Sequence, residues 1–362
     1  VASTRKIIVG YWNSIQIDAE ACAAFLGTDV RFLELEAIDL YNRKLRVLPL
    51  FMHSLTFNSL RRLNLSWNQL TTLPDGIEYC MPSLRELKLQ HNPLVTPPDC
   101  IGNMQFLRTL NLQCCSLQEF PQCLLITEHD CLQVLRLAGN NIHSIPPKRT
   151  LSEKPILHHN YCPQHSLAQL RLLDLSRNSL TSLPIAADSP VLVGCDHLEQ
   201  LVLSQNKLLS IPSHVCRLKS LLNLEMDNNN LASLPAEVGD LESLRVLSVG
   251  NNRLQSLPAS IGRLEKLEEL RLENNQLSSI VAEVGNLRNL RSLFLQDNDL
   301  KDGALPTSLR NLKKLRLFYL FNNPIHKLII QRITRNTHIL ADEEALEAVN
   351  LADYLLVYGI HP

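Results

Sequence analysis

The chain has 362 residues, 45% of them hydrophobic and 5% aromatic, and Lys+Arg 35 against Asp+Glu 36 leave a formal net charge of -1. That balance excludes a global electrostatic pull toward nucleic acid or an anionic membrane. No apolar run reaches the ~18 residues that a bilayer-spanning helix requires.

Residues 1–34 read as an N-terminal cap. Basic residues Arg5 and Lys6 precede an apolar stretch too short for a secretory signal. The chain begins at Val1 rather than Met, which leaves open a removed targeting segment. The Ala-rich stretch Asp18 to Leu26 suits a helix covering whatever follows.

From Leu60 to Asn323 the sequence writes L-x-x-L-x-L-x-x-N eleven times, usually followed by x-L-x-x-L-P. Leu244, Leu247, Val249, Asn252, Leu254, Leu257 and Pro258 form one of the plainest copies. An earlier, degenerate copy from Leu35 carries Arg43 where asparagine is expected, making about twelve units. A unit so short cannot bury its own apolar face, so it must stack on neighbours of the same kind.

Within each unit the first half alternates apolar and polar residues, as a half-buried strand does. The asparagine closes a turn, because its amide both donates and accepts and can satisfy backbone groups that the bend strands. Cys115 takes that place in one unit. The following L-P-x-x-[IVL]-x-x-L predicts a short helix or 3₁₀ segment with proline at its first position. The expected fold is α/β, a horseshoe-shaped solenoid of residues 35–328 with a parallel sheet on its concave face. Helical caps are expected at 1–34 and 329–362.

From Asn206 to Asn298 the asparagines recur every 23 residues. Asn140 to Asn178 spans 38 and Asn178 to Asn206 spans 28, which predicts insertions at 148–169 and 186–196. Loops of that kind often carry function. After Asn323, Leu351, Leu355 and Tyr358 have helical spacing, with Asp342, Glu343 and Glu344 suited to a helix start. The N-terminal region holds only Cys22, and no cysteine follows Cys216, so the ten cysteines do not bracket the repeats. They read as reduced thiols in an intracellular, cytoplasmic protein.

The full text L-x-x-L-x-L-x-x-N-x-L-x-x-L-P-x-x-[IV]-G-x-L-x-x-L, present almost whole from Leu221 to Leu290, resembles the typical intracellular leucine-rich repeat. It is similar to the repeats of Ras-group and polarity-scaffold proteins, including the plant intracellular Ras-group-related set. The resemblance implies a cytosolic scaffold that binds proteins through its concave surface. Some relatives recruit a phosphatase through a basic-Val-x-Phe motif. The nearest text here, Arg46-Val47-Leu48-Pro49, has proline in place of phenylalanine, so that partner is not carried over.

Function is left to the free positions, the third, fifth, seventh and eighth of each unit, which face solvent on the sheet. Phe294, Leu317, Tyr319 and Phe321 should lie side by side as a partner-binding patch, unless the C-terminal cap folds over them. A second candidate cluster comprises Tyr41, Arg62, Trp67, Lys88 and His91. The middle is mixed, with Arg136, Asp174, Arg177 and Arg271 among others. Glu225, Asp227, Glu269 and Glu273 suit a basic partner or a solvated face better than a metal, since no tight oxygen cage is spelled out. The insertion offers His158, His159, Cys162 and His165 as conceivable zinc ligands, but their spacing is irregular. Arg310, Lys313, Lys314, Arg316, Lys327, Arg332 and Arg335 bias the end of the repeats toward basic, without the interleaved aromatics of a nucleic-acid surface.

No phosphate-cradling glycine loop, nucleophile elbow or H-E-x-x-H occurs, so neither catalysis nor a small-molecule substrate is expected, and no cofactor is implied. The expected function is a non-catalytic scaffold or adaptor for a protein partner. The alternative is a constitutive subunit of a large cytoskeletal, ciliary or ribonucleoprotein assembly, motivated by the irregular insertions and the cysteine content.

Overall fold

A computed structural model describes residues 6–8, 35–48, 52, 56–126, 131–145, 167–184, 192 and 194–325. The chain divides into two compact units. The first ends at Ser179 and takes in Pro184–Leu198; the second takes in Leu180–Leu183 and resumes at Glu199.

In the first unit the strands are β1 (Lys6–Ile8), β2 (Ala37–Asp39), β3 (Arg62–Asn64), β4 (Glu86–Lys88), β5 (Thr109–Asn111), β6 (Val134–Arg136) and β7 (Leu172–Asp174). Each pairs in parallel with the next. In the second they are β8 (Gln200–Val202), β9 (Asn223–Glu225), β10 (Val246–Ser248), β11 (Glu269–Arg271), β12 (Ser292–Phe294) and β13 (Leu317–Tyr319), again parallel and in chain order. Within the second unit the register puts the fourth residue of successive repeats in line, so Leu224, Leu247, Leu270, Leu293 and Phe318 form one buried row. Each such leucine contributes about 1.5–3 kcal/mol by leaving water.

Residues 1–34, expected as a cap, contain the strand β1, whose Ile7 aligns with Ile38 in parallel pairing. No leucine repeat surrounds it, so periodicity could not announce it. The helix expected at 18–26, most of the insertion at 148–169 and the cap at 329–362 lie outside the described residues.

Opposite the strands, the second half of each repeat forms a five-residue 3₁₀ segment in six units: Asp99–Asn103, Ser213–Arg217, Ala236–Asp240, Ala259–Arg263, Ala282–Asn286 and Thr307–Asn311. Two others make a four-residue helical turn, Ile77–Cys80 and Cys123–Ile126. The proline stands one place earlier than expected. Pro235 is the residue before the 3₁₀ segment, at φ -63° and ψ 148°, where its fixed φ suits an extended entry.

The asparagines form a spine. Asn252 is buried and its Nδ2 donates to the Val249 carbonyl in its own repeat and the Met226 carbonyl in the preceding one, each at 3.0 Å. Its Oδ1 accepts the Leu231 amide at 3.0 Å. The residue before each spine position is left-handed in all twelve repeats, with φ from 51° at Asn274 to 70° at Gly139. In that conformation its N–H reaches the next repeat, as when Asn251 donates to the Glu273 carbonyl at 2.8 Å.

Where the spine lacks asparagine, the turn changes. After Arg43 and Cys115 the next residues, Lys44 and Ser116, are also left-handed, at φ 57° and 61°. Two amides then converge on the next asparagine: Asn140 Oδ1 accepts from both Cys115 and Leu117, at 2.9 and 3.0 Å. The Cys115 thiol donates to the Leu89 carbonyl at 3.2 Å but offers no comparable acceptor, so the Leu94 amide turns to the Asn92 carbonyl instead.

No disulfide joins the eight described cysteines. Burial pushes the thiols of Cys100, Cys115, Cys123, Cys195 and Cys216 up to about 12, which keeps them protonated and inert, whereas Cys114 is exposed.

Candidate protein-binding face

Side chains alternate along each three-residue strand, so the middle residue is buried and its neighbours stand on the open side of the sheet. Successive repeats place these neighbours in columns one strand apart.

In the second unit, β12 and β13 align Ser292 with Leu317 and Phe294 with Tyr319. The Phe294 and Tyr319 rings stack at 5.0 Å between centroids and 8° between planes, and Phe321 meets Tyr319 edge-on at 6.4 Å. Leu317 is 42% exposed beside them, and the three rings are half-buried. On the preceding strand the Arg271 guanidinium lies 4.8 Å over Phe294 and pairs with Glu269. Each ring pair adds about 0.5–1.5 kcal/mol beyond burial, so the patch is ordered before any partner arrives. Arg271 was legible only as part of a mixed middle. Its place at the fifth position, one strand before Phe294, was the signal for this stack.

The first unit brings together only part of its candidate cluster. Trp67 and His91 occupy the eighth column and stack at 3.9 Å and 27°, both left-handed at φ 58° and 59°. In the second unit that column holds Gln205, Asn228, Asn251, Asn274, Asp297 and Asn322, mostly residues that tolerate the conformation. A bulky indole there is strained, and strain of this kind gathers at functional positions. Trp67 is 50% and Tyr41 49% exposed, but Tyr41 stands one column over, at the seventh position. Lys88 turns to Glu86 on its own strand, at 2.7 Å, rather than to the rings. Arg62 stands exposed at the third position of its repeat, the first residue of β3.

From the repeat of β9 to that of β12 the seventh column runs Asp227, Gly250, Glu273 and Gln296. Asp227 Oδ1 accepts from Ser248 Oγ and from the Gly250 amide, both at 2.7 Å, and Asp227 Oδ2 accepts from Ser204 Oγ at 3.4 Å. Glu273, one strand beyond Gly250, is half-buried. Burial raises its pKa, Asp227 and Glu269 raise it further, and Arg271 and a backbone hydrogen bond pull it down. A carboxyl with a raised folded pKa favours folding in its protonated form, and that benefit is lost as pH rises through the raised value. Glu273→Gln is therefore expected to raise the melting temperature at pH 7 and to leave it unchanged at pH 3, as thermal denaturation at the two values would show. A fall in melting temperature at pH 7 would contradict it.

Among the described residues no three His, Cys, Asp or Glu side chains come together as a metal site needs. His158, His159, Cys162 and His165 lie outside the described residues, as do Lys327, Arg332 and Arg335.

Comparison with known proteins matches residues 156–340 to the leucine-rich repeat region family and residues 34–94 to the leucine-rich repeat. The chain belongs to the leucine-rich repeat family. Mouse leucine-rich repeat serine/threonine-protein kinase 1 is 31% identical over 220 residues, which is 53% of this chain and 10% of that protein. Drosophila melanogaster chaoptin is 29% identical over 157 residues, 43% of this chain and 10% of chaoptin. The chain thus spans about a tenth of the length of the curated relatives it matches. Among solved structures, a leucine-rich repeat protein of Leptospira interrogans is 28% identical, with TM-score 0.56 over 85% of this chain and 84% of that one. The repeat solenoid is therefore the fold of this chain. No helix among the described residues is long and apolar enough to cross a membrane.

Proposed function

We propose that the chain is a non-catalytic scaffold or adaptor that binds a protein partner through the open face of its sheet, in the cytoplasm. The observation that carries this reading is the ordered patch of Phe294, Tyr319 and Phe321 with Leu317 exposed beside them. Aromatic anchors held rigid on a scaffold bind at low entropic cost and have the composition of interface hot spots. The first unit carries an aromatic pair of its own on its strands' open side, Trp67 and His91. The similarity of the repeats to the Ras-group type, and buried cysteines kept as thiols, support an intracellular setting. Kinase activity belongs to the mouse relative, of which this chain matches a tenth.

The triple variant Phe294→Ala, Tyr319→Ala, Phe321→Ala is expected to retain its circular dichroism spectrum and to lose partner capture from native extract at least a hundredfold, about 2.7 kcal/mol or more. Capture at the original level by a folded triple variant would remove this patch as the binding site. A constitutive place in a large assembly would instead show as co-elution of all the protein in one high-mass fraction on size exclusion.

A further inference from the structure

The sheet face of the second unit is unbalanced in charge. At its third, fifth, seventh and eighth positions stand Glu225, Asp227, Glu269, Glu273 and Asp297, and Arg271 is the one cation among them. The same positions in the first unit hold Asp39, Glu86 and Asp174 against Arg62, Lys88, Arg136 and Arg177, which nearly cancel. The imbalance therefore belongs to one unit rather than to the repeat.

Two of those carboxylates are brought together by a residue without a side chain. A Cβ on Gly250 would lie 2.7 Å from Glu273 Oε1 and 3.2 Å from Asp227 Oδ1, so any larger residue would push the two acids apart. Asp227 is held in place by Ser248, Gly250 and Ser204. Glu273 leans over Gly250 with its Oε2 enclosed and without a hydrogen-bond partner, and on the next strand Gln296 Oε1 is in the same condition. Enclosed acceptors without donors are costly, and a converging like-charge pair adds to that cost. The nearby cation is already engaged, since Arg271 pairs with Glu269 and covers Phe294.

Arg271 offsets Glu273 in part through space, but among the described residues no cation donates a hydrogen bond to the enclosed Glu273 Oε2. Arg271 over Phe294 also shows how a guanidinium settles on this surface, above a ring and paired with a carboxylate. No metal-type cluster forms among the described residues, so a side-chain cation fits better than a metal ion.

We propose that the second unit's sheet face takes a lysine- and arginine-rich extended segment of its protein partner, with one cationic side chain placed between Asp227 and Glu273 and apolar side chains further along the segment against the Phe294–Tyr319–Phe321 patch. This inference rests on the scaffold reading and supplies the chemistry of the partner.

The test uses the full chain and fluorescently labelled dodecapeptides, one alternating Arg or Lys with Leu and Ala, the other with Glu in place of each cation. Anisotropy at 150 mM salt should show binding of the basic peptide and none of the acidic one. Glu273→Gln with Asp227→Asn should weaken the basic peptide at least tenfold while raising the melting temperature, whereas Glu283→Gln, on a 3₁₀ segment, should change affinity less than twofold. An equal loss in both variants means nonspecific charge attraction and overturns the inference, as does unchanged affinity in the double variant. Calorimetric binding of calcium or magnesium at these acids, abolished by the double variant, would overturn it in favour of a metal site. If the aromatic triple variant loses the native partner and the double acid variant keeps it, the scaffold reading stands and this inference falls.

Discussion

Replacing Asn252 with alanine is expected to cost about 2–4 kcal/mol of unfolding free energy, far more than its single amide suggests. The side chain serves four backbone groups: it donates to the carbonyls of Met226, Val249 and Gly250 and accepts the Leu231 amide. The carbonyls are partly insured, since Met226 also receives Asn229 and Val249 also receives Asn275. The Leu231 amide has no such alternative and would be left buried and unpaired. Asn252→Asp sharpens the test, because aspartate can still accept from Leu231 but faces three carbonyls with no proton to offer. Both variants should lower the urea midpoint, and hydrogen exchange at Leu231 should accelerate in the alanine variant above all. A cost under about 1 kcal/mol for alanine would show that the spine is ornamental.

Gly239→Ala is expected to destabilise the second unit by about 2–4 kcal/mol, although alanine ordinarily stabilises a helical turn. A Cβ there would lie 2.2 Å from the Ser260 carbonyl oxygen and 2.8 Å from Arg263 Nε. The arginine end can swing away. The Ser260 carbonyl cannot move without displacing the Ala259–Arg263 segment that it belongs to. Gly303 offers the contrast: its added Cβ meets nothing within 4 Å, and its φ of 84° is what resists a side chain. Gly303→Asn should therefore be tolerated within about 1 kcal/mol, since asparagine adopts left-handed conformations most readily. Thermal melts of both variants separate the two causes; equal losses would refute the distinction between space and backbone angle.

How much of this was legible follows from what period carries. The leucines and asparagines recur at fixed intervals because they serve the stack, so strands, turns and the buried row could be placed from residue text alone. The neighbourhood of Phe294, Tyr319 and Phe321 followed as well, since register makes column partners computable. Three things did not follow. Lys88 is two residues from Glu86 on the same side of one strand, and that local pairing draws it from Trp67 and His91. Lys44 and Ser116 adopt left-handed angles because the residue before each is not asparagine, an effect of missing hydrogen bonds rather than of their own propensity. β1 lies outside the periodic text altogether and is recruited by the exposed edge of β2.

The shared carbonyls of the spine have a mechanical consequence. Leu203, Met226, Val249, Leu272 and Leu295 each accept from two successive asparagines, one within the repeat and one from the repeat after it. Peeling away a terminal repeat therefore costs its inner neighbour half of a bifurcated clasp and leaves the other half closed. Within the second unit, tension applied at the end is resisted one rung at a time, like a zip fastener parting tooth by tooth.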